Sequence, residues 1–247
     1  MGIEMKIAGM MRIKNEARWI EKIIGAALKV CDRIYVLDDH STDATPEICR
    51  SFAGVYLFPS EFEGLDESRD KNWLFNQVKR SRSEWCLAID GDEVIEDPHN
   101  ELREISQRAD EGPECFSLQV LYLWNRVDQV RTDGVYGRFF RPSFFRVRDS
   151  QTFPTTASGA NFHCGSVPQQ LGAAFRCGAR LLHFGYMDAA DRRRKFEWYN
   201  RHDPNNEIED RYQHMVQGDP EGPHRKAKLL HAGPLRLETI VAPVVNR

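Results

Sequence analysis

Asp90-Gly91-Asp92 closes an apolar run of strand character, Trp85 to Ile89. Two carboxylates delivered to the open end of a strand, with a side-chain-free residue between them, make a site for a divalent cation. Mg²⁺ and Mn²⁺ take oxygen ligands and commonly share their shell with substrate phosphates. Alone, the same three letters also spell a surface turn. Three further polar clusters stand beside comparable segments: Asn15-Glu16, Asp38-Asp39 and Arg69-Asp70-Lys71. Arginine suits planar or bidentate anionic acceptors and lysine offers a point charge. The bland readings are turn and cap chemistry for the acidic clusters and a solvated helix face for Arg69 and Lys71.

The elements that must position these residues alternate. Lys6 to Ile13 reads as a strand, and Glu16 to Leu28 as a helix with Trp19, Ile20, Ile23, Ile24, Ala27 and Leu28 on one stripe. Arg33 to Leu37 is a strand, and Thr45-Pro46 opens a helix through about Phe52. Gly54 to Phe58 is a strand and Glu67 to about Arg82 a helix; the strand before Asp90 follows, and Asp97-Pro98 starts a helix toward Ala109. This succession predicts an α/β fold with a mostly parallel sheet flanked by helices, whose ligands bind outside the carboxyl ends of the strands. Asn15-Glu16, Asp38-Asp39 and Asp90-Gly91-Asp92 fall at those ends. Later, Cys115–Trp124, Val135–Phe140, Phe144–Val147 and Arg180–Gly185 read as strands, Ala189 to about Arg201 as a basic helix, and Asp203 to Pro223 as polar loop. The expected organisation is a single compact unit with a nucleotide-binding half, residues 1–112, and a substrate-shaping half, residues 113–247.

Composition narrows the classes. With 247 residues, 41% of them hydrophobic, the chain can bury a sizeable core. Thirty-four basic against 37 acidic residues leave no global field for nucleic acid. The six cysteines show neither a C-x-x-C pair nor zinc spacing, which points to reduced thiols and a cytoplasmic setting. No apolar stretch reaches a membrane span and no signal-peptide pattern opens the chain. Neither G-x-G-x-x-G after the first strand nor a P-loop is present, and H-E-x-x-H and G-x-S-x-G are absent.

Taken together, Asn15-Glu16, Val36-Leu-Asp-Asp-His-Ser-Thr-Asp-Ala-Thr45, Arg69-Asp-Lys-Asn-Trp73 and Leu87-Ala-Ile-Asp-Gly-Asp-Glu93 resemble family 2 glycosyltransferases of the GT-A fold. Arg138-Phe-Phe-Arg141 and Leu182-His-Phe-Gly-Tyr186 resemble later landmarks of bacterial members that build polysaccharide or lipopolysaccharide cores. The resemblance implies a metal-dependent transfer from a nucleotide-sugar, first of all a UDP-sugar, to a glycan or glycolipid. It implies that Asp39, with Asp38 beside it, accepts from the base; that Arg69, and less so Lys71, approaches the base or diphosphate; and that Asn15 and Glu16 line base and ribose. Asp92 and Asp90 would hold Mn²⁺ or Mg²⁺, with Asp90 also a candidate for the ribose and His183 completing the coordination. Glu93 points the other way if strand alternation persists. A core histidine is the plain alternative for His183, as helix capping is for Asp43.

Inverting transfer needs a general base for the acceptor hydroxyl. Relatives carry a His-Glu pair where this chain has His163-Cys164, so the carboxylate is missing and the stereochemical outcome stays open. His163, Asp188 and Asp133 are the candidates, each with a structural alternative as loop histidine, helix cap and turn aspartate. Arg192-Arg-Arg-Lys195 reads as a solvated helix face, or as an approach to a diphosphate or to anionic lipid at the inner face of a membrane. Trp124, Tyr136 and Trp198 are core residues by default and sugar-stacking candidates otherwise. Two competing readings remain: a nucleotide-binding protein without turnover, and a sugar nucleotidyltransferase. The second lacks its glycine-rich loop, because Met10 to Asn15 contains no glycine.

Overall fold

The computed structural model describes residues 6–108, 112–154, 164–203, 212–216 and 235–240. In chain order the elements are β1 (Ile7–Ile13), α1 (Ile20–Val30), β2 (Arg33–Asp38), α2 (Thr45–Arg50), β3 (Val55–Pro59), α3 (Glu67–Arg80), β4 (Trp85–Ala88) and β5 (Glu93–Glu96). Then come α4 (Glu101–Ser106), β6 (Cys115–Trp124), β7 (Arg126–Arg131), β8 (Phe140–Arg146), β9 (Phe175–His183), α5 (Ala189–His202) and β10 (Leu237–Thr239). The chain forms two compact units, residues 1–119 with 140–181, and residues 120–139 with 182–247.

In the first unit β4, β1, β2 and β3 lie side by side and parallel. The register sets Ile13 of β1 opposite Asp38 of β2, and Met10 of β1 opposite Ala88 of β4, so all three strands end at one edge. β8 adds antiparallel beyond β4, pairing Arg146 with Trp85, and the first half of β6 adds beyond β8. β5 pairs with β9. Parallel central strands are covered on both faces and so read as continuous apolar runs, as β1 does. Ala8 and Met10 share a core with Tyr35, Leu37 and Cys86 and with Leu74, Phe75 and Val78 of α3. Burying each such large side chain contributes about 1.5–3 kcal/mol. All six cysteines carry free thiols.

Several boundaries differ from the sequence-based expectations, for local reasons. Helix α1 begins at Ile20, not Glu16, after a turn in which Trp19 N and Ile20 N both donate to Glu16 O, while the N–H groups of Asn15, Glu16 and Ala17 are donated to Ser41 Oγ, Thr45 Oγ1 and Asp43 Oδ2. Asn15 also takes a left-handed φ of 56°, which asparagine tolerates better than most residues. Helix α4 begins at Glu101; Asp97 instead accepts from the N–H groups of Glu101 and Leu102, both at 2.9 Å. Its expected end, Ala109, lies outside the described residues. The two strands expected over 135–140 and 144–147 are one strand, β8, running through Pro142 opposite Ser117, beside a register shift in β6. Val135 and its neighbours turn instead, with Tyr136 and Arg138 donating to Asp133 and Val135 carbonyls. The sequence pattern marks none of β5, β7 and β10 as a strand.

In the second unit the later half of β6 pairs with β7, and β7 with β10, all antiparallel. Its core gathers Trp124, Tyr136, Tyr186, Tyr212 and Met215. Two fully buried arginines flank the Trp124 ring, Arg131 at 4.6 Å and Arg192 at 4.2 Å. Trp124 and Tyr136 are core residues here, and Trp198 stacks on His202 at 4.0 Å. No helix of the described residues is long and apolar enough to cross a membrane.

Candidate active site

At the carboxyl edge of β1, β2 and β4 the first unit collects most of the anticipated residues. Asn15 ties the loop after β1 to the loop after β2: its Oδ1 accepts from Thr42 N at 2.7 Å while its own N–H reaches Ser41 Oγ at 2.8 Å. Asp43 completes that seam. Burial would raise its carboxyl, but hydrogen bonds from the Thr45 hydroxyl and N–H and from Ala17 N outweigh this and hold it below the usual range. Asp43 is thus a structural acceptor. Asp38 is buried, with Oδ2 facing Ser41 N at 3.4 Å and Oδ1 without a hydrogen bond among the described residues.

Asp39 lies just beyond β2, its N–H on Ile13 O at 2.8 Å. Its Oδ2 accepts from Arg12 Nη2 at 2.7 Å and from Lys14 Nζ at 3.4 Å. Arg12 points Nε at Asp70 Oδ2, 2.8 Å away, and Asp70 is 1% exposed. Arg69 closes the series with Nε on Asp70 Oδ1 at 2.9 Å, while Nη1 and Nη2 donate to the carbonyls of Glu63 and Gly64. Its guanidinium sits 4.5 Å from the Phe62 ring. Asp39, Arg12, Asp70 and Arg69 therefore form one chain of alternating charge. Lys71 turns elsewhere: Nζ donates to Cys164 O at 2.7 Å and Gly165 O at 3.3 Å, with Glu67 at 3.6 Å.

The Asp-Gly-Asp turn sits at the end of β4. Asp90 is 56% exposed on its side chain, whereas Asp92 is buried. Gly91 is required by close approach, since a Cβ there would stand 2.8 Å from Ile13 Cγ2 and 3.2 Å from Glu16 Cγ. Glu16 is thereby packed against the turn. Glu93, fully buried, accepts from Asp90 N at 3.0 Å and from Arg141 Nη2 through one oxygen; the other has no hydrogen bond among the described residues. Arg141 Nη1 reaches Asp90 Oδ2 at 3.1 Å. Burial pushes the Glu93 carboxyl up to about 7; Arg141 opposes this and the neighbouring Asp90 and Asp92 add to it.

Among the described residues no group of three or more His, Cys, Asp or Glu side chains could hold a metal ion. The donor set nevertheless fits a hard cation that takes one or two carboxylates and completes its shell with phosphate oxygens. Asp90 and Asp92 are oxygen donors in a turn with excess negative charge, and Asp38 Oδ1 and Glu93 Oε1 are buried acceptors left over at the same edge.

The remaining anticipated residues belong to the second unit or lie outside the description. His183 ends β9, half-buried, with its ring centroid 4.9 Å from Tyr122 and 4.6 Å from Tyr186. Asp133 is buried in a bidentate pair with Arg131, at 2.8 and 3.0 Å, and also accepts from Arg236 N. Asp188 occupies the N-cap position of α5 without a side-chain cap bond, its carbonyl accepting from Arg192 N. His163 lies outside the described residues. The basic run is not wholly a solvated face: Arg192 is buried, donating to the carbonyls of Tyr186 and Met187 and to Asn125 Oδ1.

Sequence reasoning overlooked Arg12, Asp70, Arg141 as a partner of the turn, and the depth of Glu93. Arg12 had one signal, a charged side chain inside an otherwise apolar central strand, where a charge needs a partner.

Comparisons with known proteins bear on this arrangement. Residues 10–167, well over half of the chain, match the family model described as glycosyl transferase family 2. Two proteins described as uncharacterized, from Mycobacterium tuberculosis and Mycobacterium bovis, are each 26% identical over 215 residues. The match takes in 81% of this chain and 51% of theirs, so the chain spans about half the length of the curated relatives it matches. Among solved structures, Staphylococcus aureus TarS aligns over 86% of this chain and 42% of its own, at 15% identity and a TM-score of 0.49. Glucosyl-3-phosphoglycerate synthase from Mycobacterium tuberculosis aligns over 50% of this chain and 46% of its own, at 18% identity and a TM-score of 0.35.

Proposed function

The chain belongs to glycosyl transferase family 2, and from that membership we propose that it transfers a sugar from a nucleotide-sugar to a hydroxyl of a glycan or glycolipid. One observation carries this reading: Asn15-Glu16, Asp38-Asp39 and Asp90-Gly91-Asp92 converge where the adjacent parallel strands β1, β2 and β4 end. That edge is where open α/β sheets take their ligands.

In this proposal Asp39 reads the base and Asn15 with Glu16 frames the ribose side. A UDP-sugar is the preferred donor, because a carboxylate acceptor suits the imide N–H of uracil. Arg69 stands on the base or diphosphate side. Asp92 and Asp90 would hold Mn²⁺ or Mg²⁺ together with the diphosphate oxygens. When bound, the cation offsets charge developing on the nucleoside diphosphate as it leaves. The acceptor oxygen forms the new bond to the anomeric carbon, the bond to the diphosphate breaks, and the acceptor proton passes to a base. Asp133 is buried and paired through both oxygens with Arg131, so we retain Asp188 and His163 ahead of it. A glycolipid acceptor would bring the chain to an anionic surface, and of the basic run on α5 Arg192 is committed to the core.

Calorimetric titration with UDP, GDP and dTDP, with and without Mn²⁺, tests the reading. Tightest binding is expected for UDP with Mn²⁺, and Asp92→Ala should remove the metal-dependent part. No binding of any nucleoside diphosphate, or an unchanged metal dependence in Asp92→Ala, overturns it. Release of free diphosphate from a panel of nucleotide-sugars then separates a transferase from a binding protein without turnover.

A further inference from the structure

We propose that Arg12 is a positioning residue for nucleobase recognition, acting by holding Asp39 at one oxygen so that the other alone faces the base. The inference rests on the nucleotide-sugar reading above and deepens it.

Arg12 is the only charged residue of β1 and is only partly exposed, at 19% of its side chain. A charge in that place demands compensation, and the fold supplies it on two sides. Nη2 donates to Asp39 Oδ2 at 2.7 Å and Nε to Asp70 Oδ2 at 2.8 Å. Lys14 Nζ adds a longer contact to the same oxygen of Asp39. The other oxygen, Oδ1, accepts no hydrogen bond from any described residue. A carboxylate on a loop ordinarily rotates to share both oxygens; here one is pinned, so its acceptor direction is set before a ligand arrives. Arg12 itself is fixed by Asp70, which is buried in α3 and held from its other oxygen by Arg69. The helix thereby sets the angle of a carboxylate on the neighbouring loop through a single planar guanidinium. Lysine has the charge but not the planar fork that meets the two carboxylates through two separate nitrogens.

The test compares Arg12→Lys with the unaltered full chain. UDP affinity, measured by calorimetry, is expected to fall about tenfold, which is about 1.4 kcal/mol. Turnover should show a raised KM for the donor with kcat within about twofold, the pattern of lost ground-state binding. In an Asp39→Asn background the same Arg12→Lys change should alter UDP affinity by less than about twofold, because the group through which Arg12 acts is gone. A merely structural arginine would weaken both backgrounds equally. Wild-type UDP affinity in Arg12→Lys, an equal loss in both backgrounds, or a loss of kcat at unchanged KM each overturn the inference. Should Arg12→Lys not fold, Asp70→Asn probes the same link from its far end: a severalfold loss of UDP affinity that shrinks to less than about twofold in the Asp39→Asn background supports it, and unchanged affinity or an equal loss in both backgrounds overturns it. If the unaltered chain binds no nucleoside diphosphate, the functional reading itself falls. If it binds and only the Arg12 variants behave as wild type, that reading stands and the role of Arg12 does not.

Discussion

The guanidinium of Arg141 closes on the buried carboxylate of Glu93 while its other arm holds Asp90, so one side chain on β8 ties together both ends of the Asp-Gly-Asp turn. Removing one partner of a buried pair leaves the other charge stranded. Glu93 can take up a proton instead, since burial already pushes it up to about 7. Arg141→Leu should therefore destabilise the protein by about 1–3 kcal/mol, read from urea unfolding midpoints. Arg141→Lys should recover part of that loss but not the double contact.

Glu93 carries a pH dependence of definite sign. Its carboxyl lies near 7 in the folded chain against an ordinary 4.5, chiefly through burial. Stability from the protonated form is present below the unfolded value and is lost as pH rises through about 7. In metal-free protein, the melting temperature of Glu93→Gln should gain on that of the unaltered chain between about pH 5 and about pH 8. A constant difference across that window contradicts the assignment.

Asp43 works in the opposite direction. Burial alone would raise it, but its hydrogen bonds to Thr45 and Ala17 keep it depressed, so its contribution is present above the ordinary carboxylate range and fades as pH falls through the depressed value. Asp43→Ala should cost about 0.5–1.5 kcal/mol at neutral pH, the range for a lost hydrogen bond, with the deficit shrinking in acid. Chemical denaturation at several pH values measures both.

Gly91→Ala tests the close approach of the turn to β1. The added methyl would meet Ile13 Cγ2 at 2.8 Å, and the expected penalty is that of an overpacked site, about 1–3 kcal/mol. Mn²⁺-dependent UDP binding should weaken as well, because the carboxylates on either side must shift. Calorimetry beside thermal unfolding distinguishes a displaced turn from a tolerant one.

Lys71 separates tethering from ligand contact. Its ammonium is engaged by the carbonyls of Cys164 and Gly165. Lys71→Met should lower the unfolding midpoint yet leave UDP affinity within about twofold, whereas Arg69→Met should weaken UDP binding severalfold.

Why part of this was legible in the sequence and part was not follows from how the information is carried. The acidic clusters could be placed because strand order in an alternating α/β segment decides which ends meet, and Asp38, Asp39, Asp90 and Asp92 sit at segment boundaries that hydrophobicity marks. Strand β7, Arg126-Val-Asp-Gln-Val-Arg131, hides because its apolar positions are too few to mark a face. Strand β5 hides because Glu93-Val-Ile-Glu96 looks like the continuation of a polar turn. The role of Arg12 depends on partners 27 and 58 residues away, and no local pattern encodes such a meeting. Strand alternation would turn Glu93 to the opposite side, but the chain turns at Gly91 and a new strand begins at Glu93.

The return of β8 to the flank of β4 has a practical consequence for dissecting the chain. Residues 140–146 are far from β4 in sequence, yet they supply the hydrogen-bonding neighbour of Trp85, Cys86 and Leu87. A fragment ending near residue 112 would keep the acidic residues proposed to hold nucleotide and metal and lose that neighbour. Its β4 would become a bare apolar margin, of the kind that recruits other chains. Truncation should thus yield precipitate rather than a minimal nucleotide-binding module, and any shorter version must carry residues 140–146 with it.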